Sequence, residues 1–171
     1  MIKILQTLFG LLFLSNSLCL ADTPGEVKVG SFLRSVKMQG LNVNDKQLND
    51  YRGQPMIINI WASWCGPCRA EMQSLEKLAN KYDKKQFNLI GISTDDYRNR
   101  ALDLIDQTKI TFDNYIDKKL VLENMLGANR IPLTLLIDKN GKVLKKFHGS
   151  LVWDNPKMIE IIASILKLDL K

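Results

Sequence analysis

Two thiols three residues apart carry the chemistry that this chain can do: Cys65 and Cys68, in Trp64-Cys65-Gly66-Pro67-Cys68. A thiolate attacks a disulfide sulfur, and a second thiol nearby resolves the mixed disulfide. A Cys-x-x-Cys pair placed where a strand hands over to a helix is therefore a dithiol/disulfide switch. The apolar run Met56-Ile57-Ile58-Asn59-Ile60-Trp61 reads as a strand buried on both faces, and a helical pattern runs from Arg69 onward. Cys65 falls at the mouth of that helix, where unpaired N–H groups and the helix dipole favour a thiolate, so it is the expected nucleophile. Cys68, one turn in and less exposed, is the expected resolving thiol. Pro67 suits a helix start, where a missing N–H costs little. Gly66 keeps the approach open, and Trp64 offers an apolar surface to a substrate or serves as plain packing.

A length of 171 residues with 46% hydrophobic and 25% charged content suits one domain with a real core around that pair. The formal net charge is +6, but Lys84-Lys85, Lys118-Lys119 and Lys145-Lys146 are short runs with no long basic block interleaved with aromatics. That is a solvated basic surface, favouring acidic partners or an anionic membrane face over nucleic acid. Met1-Ile2-Lys3, an apolar stretch ending in Phe13-Leu14, and Cys19-Leu20-Ala21 together read as a secretory signal peptide over residues 1–21, leaving 22–171 as the domain. An uncleaved membrane anchor and a lipidated Cys19 are the alternatives. The apolar core is short for a span, and Leu18 stands where a small residue should precede a lipidated cysteine. Cleavage removes one of three cysteines, so Cys65 and Cys68 remain as the only pair. One close pair is not a disulfide scaffold, and a bridge closing so small a loop adds little stability. Zinc needs four ligands and copper(I) favours a histidine or more sulfur, whereas the one histidine, His148, lies far along the chain. No metal or other cofactor is expected, and a copper-binding chaperone is the minor alternative.

Residues 22–28, with Pro24 and Gly25, form a lead-in. Residues 29–50 read as short strands or a hairpin, with a helical turn at Asn44-Asp45-Lys46-Gln47-Leu48. After the cysteines, Met72, Leu75, Leu78, Ala79 and Tyr82 recur at helical spacing. Residues 87–93 form a second strand, and Thr94, Asp95 or Asp96 can cap the helix that follows. A short strand at 112–116 and a short helix at 119–126, stopped by Gly127, come next. Ile131-Pro132 opens a third apolar strand. Asn140-Gly141 turns it back into residues 142–147, whose basic side chains face outward on an edge. Asn155 caps the last helix with Pro156 in its first position. This order implies an α/β sandwich around a mixed sheet.

Trp-Cys-Gly-Pro-Cys after the first long strand, with Ile131-Pro132 opening the hairpin, resembles the thioredoxin fold. Leu48-Asn49-Asp50-Tyr51-Arg52-Gly53-Gln54-Pro55, the approach Ile58-Asn59-Ile60-Trp61-Ala62-Ser63-Trp64-Cys65, and Cys68-Arg69-Ala70-Glu71-Met72 are similar to the TlpA/ResA-type exported thiol-disulfide oxidoreductases. The resemblance covers nearly all of residues 22–171. It implies a thioredoxin-like three-layer sandwich with a mixed central sheet, an N-terminal β-hairpin extension and a central helical insertion. It also implies an extracytoplasmic enzyme acting on protein thiols and disulfides. The expected activity is reduction of partners such as apocytochrome c, with electrons from a membrane thiol donor; a disulfide oxidase of the same fold is the alternative. Pro132 is expected to follow a cis bond, and Ile131 and Pro132 to join Trp64, Gly66 and Pro67 in meeting substrate. Pro132-Leu133-Thr134 departs from the family's frequent Pro-Thr-Thr. Asn59 stands where thioredoxin has a buried aspartate, so the resemblance turns attention to an acid after the next strand. Asp96 aligns best as that possible proton shuttle, although capping is the commoner use of Asp95 and Asp96. A thiol peroxidase would need a Pro-x-x-x-Thr-x-x-Cys loop, which is absent.

Overall fold

The structure is a computed structural model that describes residues 24–170; the expected signal segment, with Cys19 and Ala21, lies outside them. Seven strands form one mixed sheet: β1 (Lys37–Gly40), β2 (Lys46–Gln47), β3 (Met56–Trp61), β4 (Asn88–Ser93), β5 (Asp113–Ile116), β6 (Leu133–Ile137) and β7 (Val143–His148). Their spatial order is β2-β1-β5-β4-β3-β6-β7. β3, β4 and β5 run parallel, while β6, β7, β1 and β2 join antiparallel. The helices are α1 (Gly66–Tyr82), α2 (Arg98–Thr108), α3 (Val121–Leu126) and α4 (Pro156–Leu166).

β3 is central and buried throughout, which is why its sequence is a continuous apolar run and not an alternating one. Its odd positions, Ile57 and Trp61, pack with Leu75 of α1, Ala101 of α2 and Ile162 of α4. Its even positions, Met56, Ile58 and Ile60, pack with Leu122 and Met125 of α3 and with Val27 and Leu33 of the lead-in. The result is the expected three-layer sandwich. In β4, Gly91 lets the Asn114 side chain reach across the strand, where its Oδ1 accepts from Trp61 Nε1 at 3.1 Å; a Cβ at 91 would collide with it. α4 begins as its caps dictate, with Asn155 Oδ1 accepting from Lys157 N at 2.9 Å and Pro156 in the first turn.

The N-terminal hairpin is present as β1–β2, followed by a 3-10 turn at Leu48–Tyr51 in place of a helical turn at 44–48. Two expectations for β7 fail. Its edge is not bare, because Gly30 N donates to Val143 O and Val143 N to Ser31 O. Lys146 does not face outward: its ammonium pairs with Glu26 at 2.6 Å and donates to the Leu126 carbonyl at 2.8 Å. A lead-in that crosses the sheet edge converts an exposed position into an anchor, and no local pattern announces this.

At the start of β5, Asp113 gathers a buried cluster. It accepts hydrogen bonds from Lys84 Nζ at 2.7 Å, Lys46 Nζ at 3.3 Å and the Tyr51 hydroxyl, which also meets Tyr115. Burial pushes the carboxyl up, but the hydrogen bonds from Lys84 and Tyr51 and the two lysine charges outweigh it and hold the pKa below the usual range. Burial and the neighbouring carboxylate drive Tyr51 far up, and burial moves Tyr115 up to about 12. This cluster ties the hairpin and the 3-10 turn to the central sheet.

Candidate redox site

β3 delivers the chain to Ala62-Ser63-Trp64 and then to Cys65, the N-cap of α1. The helix begins at Gly66, three residues before the helical pattern read from Arg69, because Gly66 and Pro67 occupy first-turn positions whose N–H groups need no helical partner. Cys65 and Cys68 are joined as a disulfide. Cys65 is 5% exposed and Cys68 fully buried. The Cys68 amide donates to Cys65 Sγ at 3.2 Å, so a free helix N–H already points at the outer sulfur. Cys65 Sγ lies 3.8 Å from the Ile131 carbonyl oxygen, and the Ile131–Pro132 bond is cis. Trp64, at 68% exposure, stands out from the surface beside Gly66 and Pro67, which are also exposed.

The loop that carries Trp64 and Cys65 is held by Asp95. Its buried carboxylate accepts from Ser63 N at 2.9 Å, Ser63 Oγ at 2.6 Å and Ser93 Oγ at 2.8 Å. Neither Asp95 nor Asp96 caps the next helix: α2 starts later, at Arg98, with Tyr97 as an N-cap that makes no side-chain capping bond. Asp95 is spent on the active-site loop and the chain needs two more residues to turn. Asp96 is exposed and lines an open groove of about 390 Å³ with Trp64, Ile131 and Glu123. It therefore stands beside the disulfide and not beneath it.

Beneath the pair lies a residue that sequence reasoning passed over, Glu71. It sits one turn beyond Cys68 on α1, 1% exposed. Its Oε1 accepts from Asn59 Nδ2 at 2.8 Å, and its Oε2 accepts from Leu151 N and Trp153 Nε1, each at 3.0 Å. Burial raises its pKa above the usual carboxyl value; the donors from Trp153, Leu151 and Asn59 pull it down without cancelling that rise. Asn59 also donates to Thr134 Oγ1 at 2.9 Å, while its own Oδ1 has no donor among the described residues. Thr134 is the residue of Pro132-Leu133-Thr134 that keeps a hydroxyl, and here it supports Asn59. The signal for Glu71 was the i, i+3 spacing from Cys68, which puts both on one helix face. An acid in an amphipathic helix ordinarily reads as solvent-facing, and Trp153 is 82 residues away in sequence.

Among the described residues, no three His, Cys, Asp or Glu side chains gather as a metal site would require, and no helix is long and apolar enough to cross a membrane. A family model described as the AhpC/TSA family matches residues 29–146, a span that includes both cysteines and the Ile131–Pro132 bond. The thiol-disulfide oxidoreductase ResA of Geobacillus thermodenitrificans is 30% identical over 131 residues, which cover 77% of this chain and 75% of that protein. Its Geobacillus kaustophilus counterpart is 29% identical over 125 residues, 73% of this chain and 72% of that one. A Chlorobium tepidum structure described as a thiol:disulfide interchange protein DsbE superposes with a TM-score of 0.75 at 27% identity, covering 82% of this chain and 99% of that one.

Proposed function

Because the chain belongs to the AhpC/TSA family, and within it to the thioredoxin-like thiol-disulfide oxidoreductases of the ResA type, we propose that it reduces disulfides of partner proteins outside the cytoplasm. The observation that carries this is the division of the pair. Cys65, the more exposed of the two at 5%, takes a helix N–H on its sulfur, while Cys68 is fully buried one helical turn before the buried carboxyl of Glu71. The Cys65 thiolate attacks one sulfur of the partner's disulfide and the other leaves as a thiolate, which takes up a proton. The Cys68 thiol loses its proton, attacks Cys65 Sγ and releases the second partner thiolate. Glu71, one turn from Cys68 and favouring its protonated form more than an exposed carboxyl does, is placed to receive that proton. Asp96, on the open side, is the proposed shuttle to solvent.

The test is insulin reduction with dithiothreitol. Cys65→Ser is expected to abolish the acceleration, and equal rates for variant and native chain would overturn the reading. Direction is tested by the redox potential: a value near that of strong oxidants, about −120 mV, would make the protein an oxidase. The partner class is proposed to include apocytochrome c, with a membrane thiol protein as electron donor. Trapping on Cys68→Ser, which leaves partners bonded to Cys65, identifies them. Residues 1–21 are proposed to direct export and to be cleaved after Ala21; N-terminal sequencing of the exported protein should begin at Asp22.

A further inference from the structure

The groove beside the disulfide is acidic on a basic protein. Its walls include Trp64, Thr94, Asp96, Leu120, Glu123 and Ile131, and no lysine or arginine lines it, although the chain as a whole carries a net charge of +6. Among the described residues, neither the Asp96 nor the Glu123 carboxylate has a hydrogen-bond or ion-pair partner. Glu123 is half-buried, and burial first and the charge of Asp117 second raise its pKa. Asp117 cannot turn away, because its oxygens accept from Val121 N at 3.0 Å and Glu123 N at 2.8 Å. The like charges are therefore held near one another, and a cation brought from outside would offset them without either acid taking up a proton. Leu120 enters α3 in the left-handed region, at φ 53°, an uncommon conformation for an aliphatic residue. It leaves a 37% exposed apolar side chain at the groove, as Trp64 does.

We propose that this groove selects partner segments bearing a lysine or arginine next to the cysteine under attack, with an apolar neighbour resting on Trp64 and Leu120. Glu123 is the specificity-determining residue and Asp96 its second carboxylate. The inference rests on thiol-disulfide exchange at Cys65, because the groove shares Trp64 and Ile131 with that site. Net charge opposes the approach of a cation at long range, so the selection acts at contact.

The test uses the full chain, reduced and freed of reductant. It is given two synthetic peptides with the same internal disulfide and apolar neighbour, one flanked by lysines and the other by glutamates. Each rate of reduction is divided by that of the same peptide with dithiothreitol, which removes the effect of charge on the disulfide itself. The lysine peptide is expected to react about twofold to fivefold faster, the size of a close ion pair in a partly exposed groove. Glu123→Lys should speed the glutamate peptide and invert the ratio, a gain of rate that a misfolded variant cannot produce. A ratio near one in the native chain, or a ratio unmoved by Glu123→Lys, overturns the proposal. Insulin separates the two levels. Insulin reduced without peptide discrimination overturns the groove alone, whereas insulin left intact overturns the exchange reading and the groove with it.

Discussion

Two buried carboxyls of this protein, Asp113 and Glu71, show opposite designs. Asp113 is surrounded by two ammonium groups and a phenol, and its carboxyl is held below the usual range. Glu71 receives three hydrogen bonds, all from uncharged donors, and its carboxyl is raised. Both are nearly closed off from solvent and burial raises both, Glu71 the more deeply set, so the partners decide only whether that rise is overcome. Cations make the first acid a fixed negative anchor. Neutral donors hold the second in place while leaving the proton affordable in either state. The anchor joins the N-terminal hairpin to the sheet; the poised acid lies under the redox pair. Charge pairing suits architecture, and its omission suits proton transfer.

The largest test of this contrast is catalytic. Glu71→Gln keeps the shape of the acid but cannot take a proton. If Glu71 accepts the Cys68 proton, the resolving step should slow about 100-fold near neutrality, the lower range for a lost general base. Stopped-flow release of partner from the Cys65 mixed disulfide measures it. An unchanged rate would return the role to Asp96. Asp113→Asn should leave that rate per folded molecule unaltered.

Asp113→Asn should act on stability instead. The amide oxygen can serve Tyr51 or a lysine, but its NH₂ then faces an ammonium, donor against donor. The expected loss is about 2 kcal/mol in urea unfolding, since both lysines are partly exposed and can rehydrate. A loss as small as that of a surface substitution would mean the cluster is ornamental.

How far this was legible in the sequence follows the same division between local and distant determinants. The β3 run, the Cys-x-x-Cys, the Asn140-Gly141 turn and the Asn155-Pro156 cap are written within a few residues, and each appears where its pattern falls. Asp95 is one of three cap candidates in the sequence, with Thr94 and Asp96, because Asp before a helix is ordinarily a cap. Its real partner, Ser63, is 32 residues earlier and visible only once β3 and β4 lie side by side. Lys146 looked solvated because its counter-charge, Glu26, is 120 residues away. Glu71 has no burial signal of its own in the sequence, because the groups that bury it, Leu151 and Trp153, come from the loop after β7. Elements came from short-range pattern, whereas the polar contacts that define the site come from chain crossings.

The two acids should also give opposite pH windows. Glu71 binds its proton more tightly folded than unfolded, so its contribution is complete below about 4.5, its unfolded value, and is lost as pH rises through the raised folded value. Asp113 binds its proton more weakly folded, so its contribution is present above 3.8 and is lost as pH falls through the lowered value. Unfolding measured from pH 3 to 8 should therefore show Glu71→Gln gaining on the native chain as pH rises. Asp113→Asn should approach the native chain as pH falls. Parallel curves for the native chain and either variant would erase the distinction for that acid.

The smallest expected effect is the stability change of Glu71→Gln below pH 4.5, where the native acid is protonated in the unfolded chain too. The glutamine oxygen can keep the Leu151 and Trp153 donors, but its NH₂ then meets the Asn59 NH₂. Asn59 has a way out. Its Oδ1 has no donor at present, so turning the amide over presents that oxygen to Gln at 71 and to the Thr134 hydroxyl, which can donate as well as accept. The turn leaves one unsatisfied amide group, as before, and the net cost should stay below about 1 kcal/mol. Replacing Asn59 by Leu in the same background removes that escape together with the orphan oxygen. It should then cost more than the sum of the two single substitutions would if they were independent. A double-mutant cycle that closes to zero would show that Asn59 and Glu71 act separately, and would leave the buried acid without its nearest support.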